Sequence, residues 1–328
     1  MAKRQADLRT GIDFCMEVYR EKNPGSGEDS YFYMAKEEEA VFGVFDGCGG
    51  SGARRYDKLQ GKTGAFMASR VIAGAVKDWF VSPCAFHEGK PDLEALQTLM
   101  RTYLDLCKEQ GDSASAIKGK LMLAFPTTAA IVMYVLHEGR LTAHCVWAGD
   151  SRCYKLDAFG LMQLTEDDNG EQDAFENLTT DGVLTNVISA AKEIRLHTKQ
   201  IELREPCFLF AATDGCFGYL STPMEFEYLL LDTLLLSASA EDWERRIDEV
   251  LQTVAGDDYT LCGAPFGFGG FERLKAAMGA RHAALYEKYI RDIEDMTREE
   301  KRALWQDYAP HYTAHLRVDG AKPAQEQR

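Results

Sequence analysis

Acidic residues stand where apolar runs end. Asp46 follows Val41 to Phe45, Asp150 follows Val146 to Ala148, and Asp214 follows Phe208 to Thr213, while Asp257 and Asp258 directly precede Tyr259 to Cys262. Short apolar runs with β-branched and aromatic content read as buried strands. A carboxylate beside glycine at each strand end sets several negative charges at one sheet rim, and charges gathered that way need a cation. Oxygen donors without His or Cys at metal spacing select hard ions, Mg2+ or Mn2+, over zinc. Two such ions can clamp the attacking and leaving oxygens of a phosphate ester. Asp and Gly also begin and end strands everywhere, so the joint pattern argues for function rather than any single residue.

The elements that must position these acids can be read coarsely. Two strands, Tyr31 to Met34 and Val41 to Phe45, are joined through Lys36 to Glu39. Helical periodicity runs through Lys62 to Phe80 and again through Asp92 to Gln110, with Asp92 as N-cap and Gly111 as stop. Gly111 to Lys120 reads as a loop. A hairpin follows, Ala129 to Leu136 and Leu141 to Ala148, then a strand near Cys153 to Leu156 and a polar, irregular stretch from Asp167 to Thr185. Strand character resumes over Glu202 to Thr213. Thr222-Pro223-Met224-Glu225 opens a helix to about Leu236 with a capping box, and Ser239 to Val254 forms another. Strands in meanders and helices in pairs give an α+β class.

From Gly263 to Gly270 the glycines read as a hinge, lacking the spacing of a nucleotide loop. Beyond it lie two helices, Phe271 to Met296 and Thr297 to Tyr308, the second opened by the capping box Thr297-x-x-Glu300, with a disordered end from about Val318. The domain division is therefore 1–262 with a helical C-terminal extension over 263–328. Its aromatic residues Phe271, Tyr286, Tyr289 and Trp305 are expected to dock on the protein's own surface. His311 and His315, without a third ligand, read as a surface pair.

Composition bounds the function. With 328 residues and 45% hydrophobic content, core material is ample. Nine scattered cysteines without a C-x-x-C pair suit a reducing, cytoplasmic compartment. The first ten residues are charged and lack an apolar stretch, and no window approaches the roughly 18 apolar residues of a membrane span. A net charge of -15 argues against nucleic acid as a partner.

Read in order, Glu28-Asp29-Ser30, Val44-Phe45-Asp46-Gly47-Cys48-Gly49-Gly50, Thr127-Thr128-Ala129, Ala148-Gly149-Asp150-Ser151-Arg152, Leu164-Thr165-x-Asp167, Ala212-Thr213-Asp214-Gly215 and Asp257-Asp258-Tyr259-Thr260 resemble the motifs of the metal-dependent type 2C (PPM) Ser/Thr protein phosphatases, the bacterial branch above all. The resemblance covers residues 10 to 262. It implies a four-layer α/β/β/α sandwich of two antiparallel sheets flanked by helices, with the site at one rim. It also implies a metal set of Glu28, Asp29, Asp46, Gly47, Asp150, Asp214 and Asp257. Asp46 would bridge two Mn2+ or Mg2+ ions, Gly47 would offer its carbonyl, Asp214 and Asp257 would hold the other ion, and Glu28 or Asp29 would bind directly or through waters. Asp46, Asp214 and Asp257 would be indispensable to catalysis, which would proceed by a metal-activated water without a protein nucleophile.

Four departures accompany the matches. Cys48 stands where many members carry His. Pro24 stands where an Arg usually binds substrate phosphate, leaving Arg20, Lys22, Arg54 and Arg55 as candidates. Gly218 replaces an Asp of a third-ion site, so a third ion is expected to bind weakly or not at all, and Asp258 replaces an Asn and adds charge. The expected function is a cytoplasmic phosphatase acting on phosphoserine and phosphothreonine in proteins. The alternatives are a catalytically weak regulatory module, binding a partner through the C-terminal extension, and a hydrolase of small phosphorylated metabolites.

Overall fold

A computed structural model describes residues 11–111, 123–169, 173–176 and 183–316. Ten strands form two antiparallel five-stranded sheets. The first has the order β1 (Met16–Arg20), β14 (Tyr259–Phe266), β13 (Cys207–Ala212), β10 (Arg152–Asp157), β11 (Gly160–Gln163). The second has the order β12 (His197–Glu202), β9 (Arg140–Ala148), β8 (Ala129–His137), β3 (Glu39–Phe45), β2 (Ser30–Ala35). Two short hairpins, β4 (Arg55–Tyr56) with β5 (Lys62–Thr63) and β6 (Phe86–His87) with β7 (Lys90–Pro91), stand outside them.

The central strands are buried on both faces, which is why they read as continuous apolar runs rather than alternating ones. Along β3, Ala40, Phe42 and Val44 enter the layer between the sheets, whereas Val41 and Phe45 face outward. Likewise β13 sends Leu209 and Ala211 between the sheets and Phe208, Phe210 and Ala212 outward. Tyr134 closes the middle layer by donating its hydroxyl across it to the Ala264 carbonyl at 2.9 Å.

Helices cover both outer faces. The second sheet is covered by α2 (Gly64–Val81) and α3 (Leu93–Gly111), the first by α4 (Pro223–Leu236), α5 (Ala240–Val254), α6 (Phe271–Leu285) and α7 (Arg298–Tyr312), which completes the four-layer sandwich. A one-turn helix, α1 (Gly49–Gly52), follows β3. Of the expected caps, Thr222 and Thr297 each accept an amide of the first turn, Asp92 accepts from Ala95, and Thr297 with Glu300 completes a capping box, whereas the Glu225 carboxylate meets the Thr222 hydroxyl instead; Thr63 and Ser239 cap α2 and α5 as well.

Three expectations are corrected. Glu202 to Thr213 is not one strand, because β12 ends at Glu202 and β13 starts at Cys207 in the other sheet, Pro206 lying in the crossing. Gly263 to Phe266 is no hinge but the end of β14; Gly263 lies at a sheet centre, where a Cβ would come within 2.4 Å of Phe210 Cβ. The helix from Phe271 stops at Leu285, followed by a π turn at Tyr286–Ile290 and a 3-10 turn at Ile293–Asp295, so that Tyr289 and Ile293 both reach the core. The segment after 263 shares the first sheet's core through Leu274, Met278, Trp305, Tyr308 and Tyr312. Most of Gly111 to Lys120, much of Asp167 to Thr185, and the end from Val318 lie outside the described residues.

Candidate active site

Antiparallel register gathers the acidic segments. Arg20 pairs with Tyr259, Ser30 with Phe45, Ala129 with Ala148, and Ala212 with both Arg152 and Leu261. The ends of β1, β3, β9 and β13 and the starts of β2, β8, β10 and β14 therefore share one rim. Side chains then tie the two sheets together there. Asp29, at 2% exposure, accepts on one oxygen from the hydroxyls of Thr213 (2.8 Å) and Thr260 (2.6 Å), and Thr260 N donates to Thr213 Oγ1 at 2.9 Å.

Asp46 is fixed through its backbone. Its carbonyl accepts from Thr127 Oγ1 and Thr128 N, both at 2.8 Å, and the Thr128 hydroxyl meets Ser151 at 2.7 Å beside Asp150. Two glycines are required by close approach: a Cβ on Gly47 would lie 2.5 Å from the Ala65 carbonyl oxygen, and one on Gly215 would lie 1.9 Å from that of Asp258. This explains the Asp-Gly pairs after β3 and β13.

The carboxylates act on one another. Asp46 is raised well above the usual carboxylate range, first by withdrawal from water and then by the charges of Asp29, Asp214, Asp150 and Asp257. The same withdrawal, reinforced by Asp214, pushes Asp150 up to about 8 and Asp29 up to about 7. Asp214 is raised by burial and Asp257, and it shares a hydrogen bond with Asp46. Among the described residues none of Asp29, Asp46, Asp150 and Asp214 has a Lys, Arg or His as ion-pair partner. The donors are all oxygen, so in kind they fit a hard divalent cation. As the side chains stand, no three or more His, Cys, Asp or Glu among the described residues form a closed ligand group.

Other expected residues are placed differently. Glu28 stands aside: its carboxylate accepts from the Thr63 hydroxyl, and burial raises its pKa, with Asp258 and Asp257 adding to the effect. Asp257 is exposed. Asp258 uses its oxygens on the Lys22 and Glu28 amides at 2.7 and 2.6 Å, so it braces the loop before β2. Burial and Asp46 raise the Cys48 thiol, which is the opposite of a nucleophile's need. Arg20 grips Asp248 with two hydrogen bonds of 2.8 and 2.6 Å, Lys22 donates to the Gly256 carbonyl, and Arg54 lies over the Tyr56 ring at 4.8 Å. Arg55 donates to the Gly61 carbonyl at 3.0 Å and stands opposite Thr63 in the β4–β5 hairpin.

Several residues of the rim escape a search for ligands. Arg152, at 2% exposure, holds Asp167 through Nε (2.9 Å) and Nη2 (2.6 Å). Asp168 accepts from Gly149 N, Asn186 Nδ2 and His197 Nε2 at 2.8 to 2.9 Å, pinning the Asp150 turn. The available signal was that Arg152 and Asp167 stand inside the quoted motifs, with Asp168 directly after the second.

Residues 20–256 match the family model described as Protein phosphatase 2C. Among solved structures, the serine/threonine phosphatase Stp1 from Staphylococcus aureus is similar with a TM-score of 0.59 at 16% identity, covering 81% of this chain and 100% of that one. The phosphatase PstP/Ppp from Mycobacterium tuberculosis gives 0.53 at 18% identity over 78% and 99%. The PstP catalytic domain in complex with two manganese ions gives 0.51 at 18% over the same shares. No curated protein matches the chain in sequence. No helix among the described residues is long and apolar enough to cross a membrane.

Proposed function

As the chain belongs to the protein phosphatase 2C family, we propose that it is a Mn2+- or Mg2+-dependent phosphatase releasing phosphate from phosphoserine and phosphothreonine in proteins. One observation carries the reading: Asp29, Asp46, Asp150 and Asp214 converge on one rim without a Lys, Arg or His ion-pair partner among the described residues, a repulsion that a divalent ion would relieve. Asp46, Asp214 and Asp257, with the Gly47 carbonyl, are assigned to two ions, and Asp150 to a weaker third. Asp29, held in orientation by Thr213 and Thr260, or Glu28 through waters would complete the shell. Bound ions would supply a water acidic enough to attack phosphorus and charge to stabilise the leaving oxygen.

The residues of the chain then have defined work. Asp46, its backbone fixed by Thr127 and Thr128, would hold both ions, and the raised Cys48 thiol takes no part. Of the four cations named from the sequence, we assign substrate phosphate to Arg55. Arg20, Lys22 and Arg54 are engaged elsewhere, whereas Arg55 lies across the hairpin from Thr63, which touches Glu28. Its fork geometry suits a phosphoryl group. We place the protein in the cytoplasm on its cysteine usage.

A second reading, a phosphatase-fold module that binds a partner without turnover, is favoured by the lack of a closed ligand group among the described residues. Phosphate release from a small aryl phosphate and a phosphothreonine peptide with Mn2+ decides between them. The expected result is activity lost by at least about 100-fold in Asp46→Asn and Asp214→Asn, about 2.7 kcal/mol of barrier. Equal rates in wild type and both variants would leave the module.

A further inference from the structure

The family match ends at residue 256, yet α7, which lies beyond it, is attached both to Arg152, two residues after Asp150, and to residues 173–176. The first attachment is a buried relay. Tyr312 donates its hydroxyl to that of Tyr154 at 3.4 Å, and the Tyr154 hydroxyl accepts from Arg152 Nη1 at 3.3 Å. Arg152 in turn holds Asp167 with two hydrogen bonds. All these side chains are buried. Phe217 covers the guanidinium at 4.2 Å, and Phe217 N bonds the Asp214 carbonyl at 3.0 Å. Arg152 therefore lies between the turns that present Asp150 and Asp214.

The second attachment grips the 173–176 segment. Trp305 Nε1 donates to Asp173 Oδ1 at 2.8 Å, and the Phe175 ring stacks on Trp305. Arg298 and Arg302 reach the two oxygens of Glu176 at 2.7 and 2.5 Å. One helix thus fixes both the cation behind the Asp150 turn and a segment downstream of Asp167.

We propose that α7 positions the acidic centre from behind: Tyr312, acting through Tyr154 on Arg152, holds the turn that carries Asp150 in place, and Trp305 steadies α7 by its grip on the 173–176 segment. Tyr312 and Trp305 are positioning residues and touch no reacting atom. The physical reason is the rigidity of a buried guanidinium, which keeps one plane only while each of its donors is met. The inference rests on the metal-dependent reading, which counts Asp150 among the ligands.

The test uses the full chain and compares the double variant Tyr312→Phe/Trp305→Phe with Tyr289→Phe. The control loses a hydroxyl bonded to Asp307 in the same helical layer but contacts neither attachment. Outer partners of metal ligands carry about 10- to 100-fold in affinity. For partners one bond further out, the double variant should bind Mn2+ about five- to tenfold more weakly in calorimetry. Its amides over 149–169 should also exchange faster, with the control within about twofold of wild type on both counts. Wild-type affinity and exchange in the double variant would overturn the proposal. If wild type itself binds no Mn2+, the metal reading fails, and the exchange comparison alone decides whether α7 positions the turn. Should the double variant not fold, Tyr312→Phe, which keeps the ring, carries the same comparison.

Discussion

Ending the chain after Phe266 keeps every strand among the described residues and removes α6, α7, the turns between them and the residues on either side. The removed part includes Leu274, Met278, Leu285, Tyr289, Ile293, Trp305, Tyr308 and Tyr312, all at 7% exposure or less. At about 1.5 to 3 kcal/mol for each large buried side chain, their burial contributes at least roughly 12 kcal/mol. Discounting about a third for a compact unfolded state leaves about 8 kcal/mol. A whole domain is stable by only about 5 to 15 kcal/mol. Truncation also strips Glu227, at 0% exposure, of its two-point partner Arg281 and of the Tyr308 hydroxyl. The 1–266 chain should therefore show no cooperative melt, weak near-ultraviolet dichroism and binding of a hydrophobic dye. A cooperative transition within about 5 °C of the full chain would refute the reasoning and support the boundary at 262.

Two further predictions concern the rim. With metal chelated, the raised pKa values of Asp29 and Asp150 mean that the folded state keeps protons which the unfolded chain releases near pH 4. Their contribution to stability is complete below about pH 4 and is lost as pH rises through 7 to 8. The urea midpoint should accordingly fall between pH 5.5 and 8.5, excess Mn2+ should oppose the fall, and Asp150→Asn should flatten it; a midpoint rising with pH would contradict the assigned clustering. Gly215→Ala would drive a methyl to 1.9 Å from the Asp258 carbonyl oxygen. It should cost about 1 to 3 kcal/mol in denaturant titration and reduce phosphate release, because Asp214 and Asp258 are displaced together; wild-type values on both counts would show that the contact relaxes freely.

Much of the fold was legible because local signals agreed with the tertiary outcome. The β8–β9 hairpin needs only two apolar runs around His137-Glu138-Gly139-Arg140, and the helix starts were marked by hydroxyl caps whose bonds depend on neighbours within three residues. The errors arose where local and distant forces differ. Gly263, Ala264 and Pro265 suggest a break, yet pairing to β13 on one side and the layer between the sheets on the other hold them extended. The turns at Tyr286–Ile290 and Ile293–Asp295 carry no breaker at all; they exist because the aromatic layer around Trp305 and Tyr308 demands Tyr289 and Ile293 on one side.

For the site, the acids themselves were readable but their division of labour was not. Glu28 and Asp29 are adjacent in a loop, and nothing in their own types says which faces inward. The structure decides by donors from two distant strands: Thr213 and Thr260 meet Asp29 and leave Glu28 to Thr63 at the edge. The hint lay in the threonine before Asp214 and the one two residues after Asp258, each placed to serve an acid other than its neighbour. Asp258 shows the same logic in reverse, since its charge looked like an addition to the centre while two backbone amides claim its oxygens. With both oxygens engaged by amides, Asp258 is held to the loop before β2, and this follows from loop path rather than residue type. Substituting Asp258 by Asn should thus speed amide exchange in the loop before β2 more than around Asp46, Asp150 and Asp214.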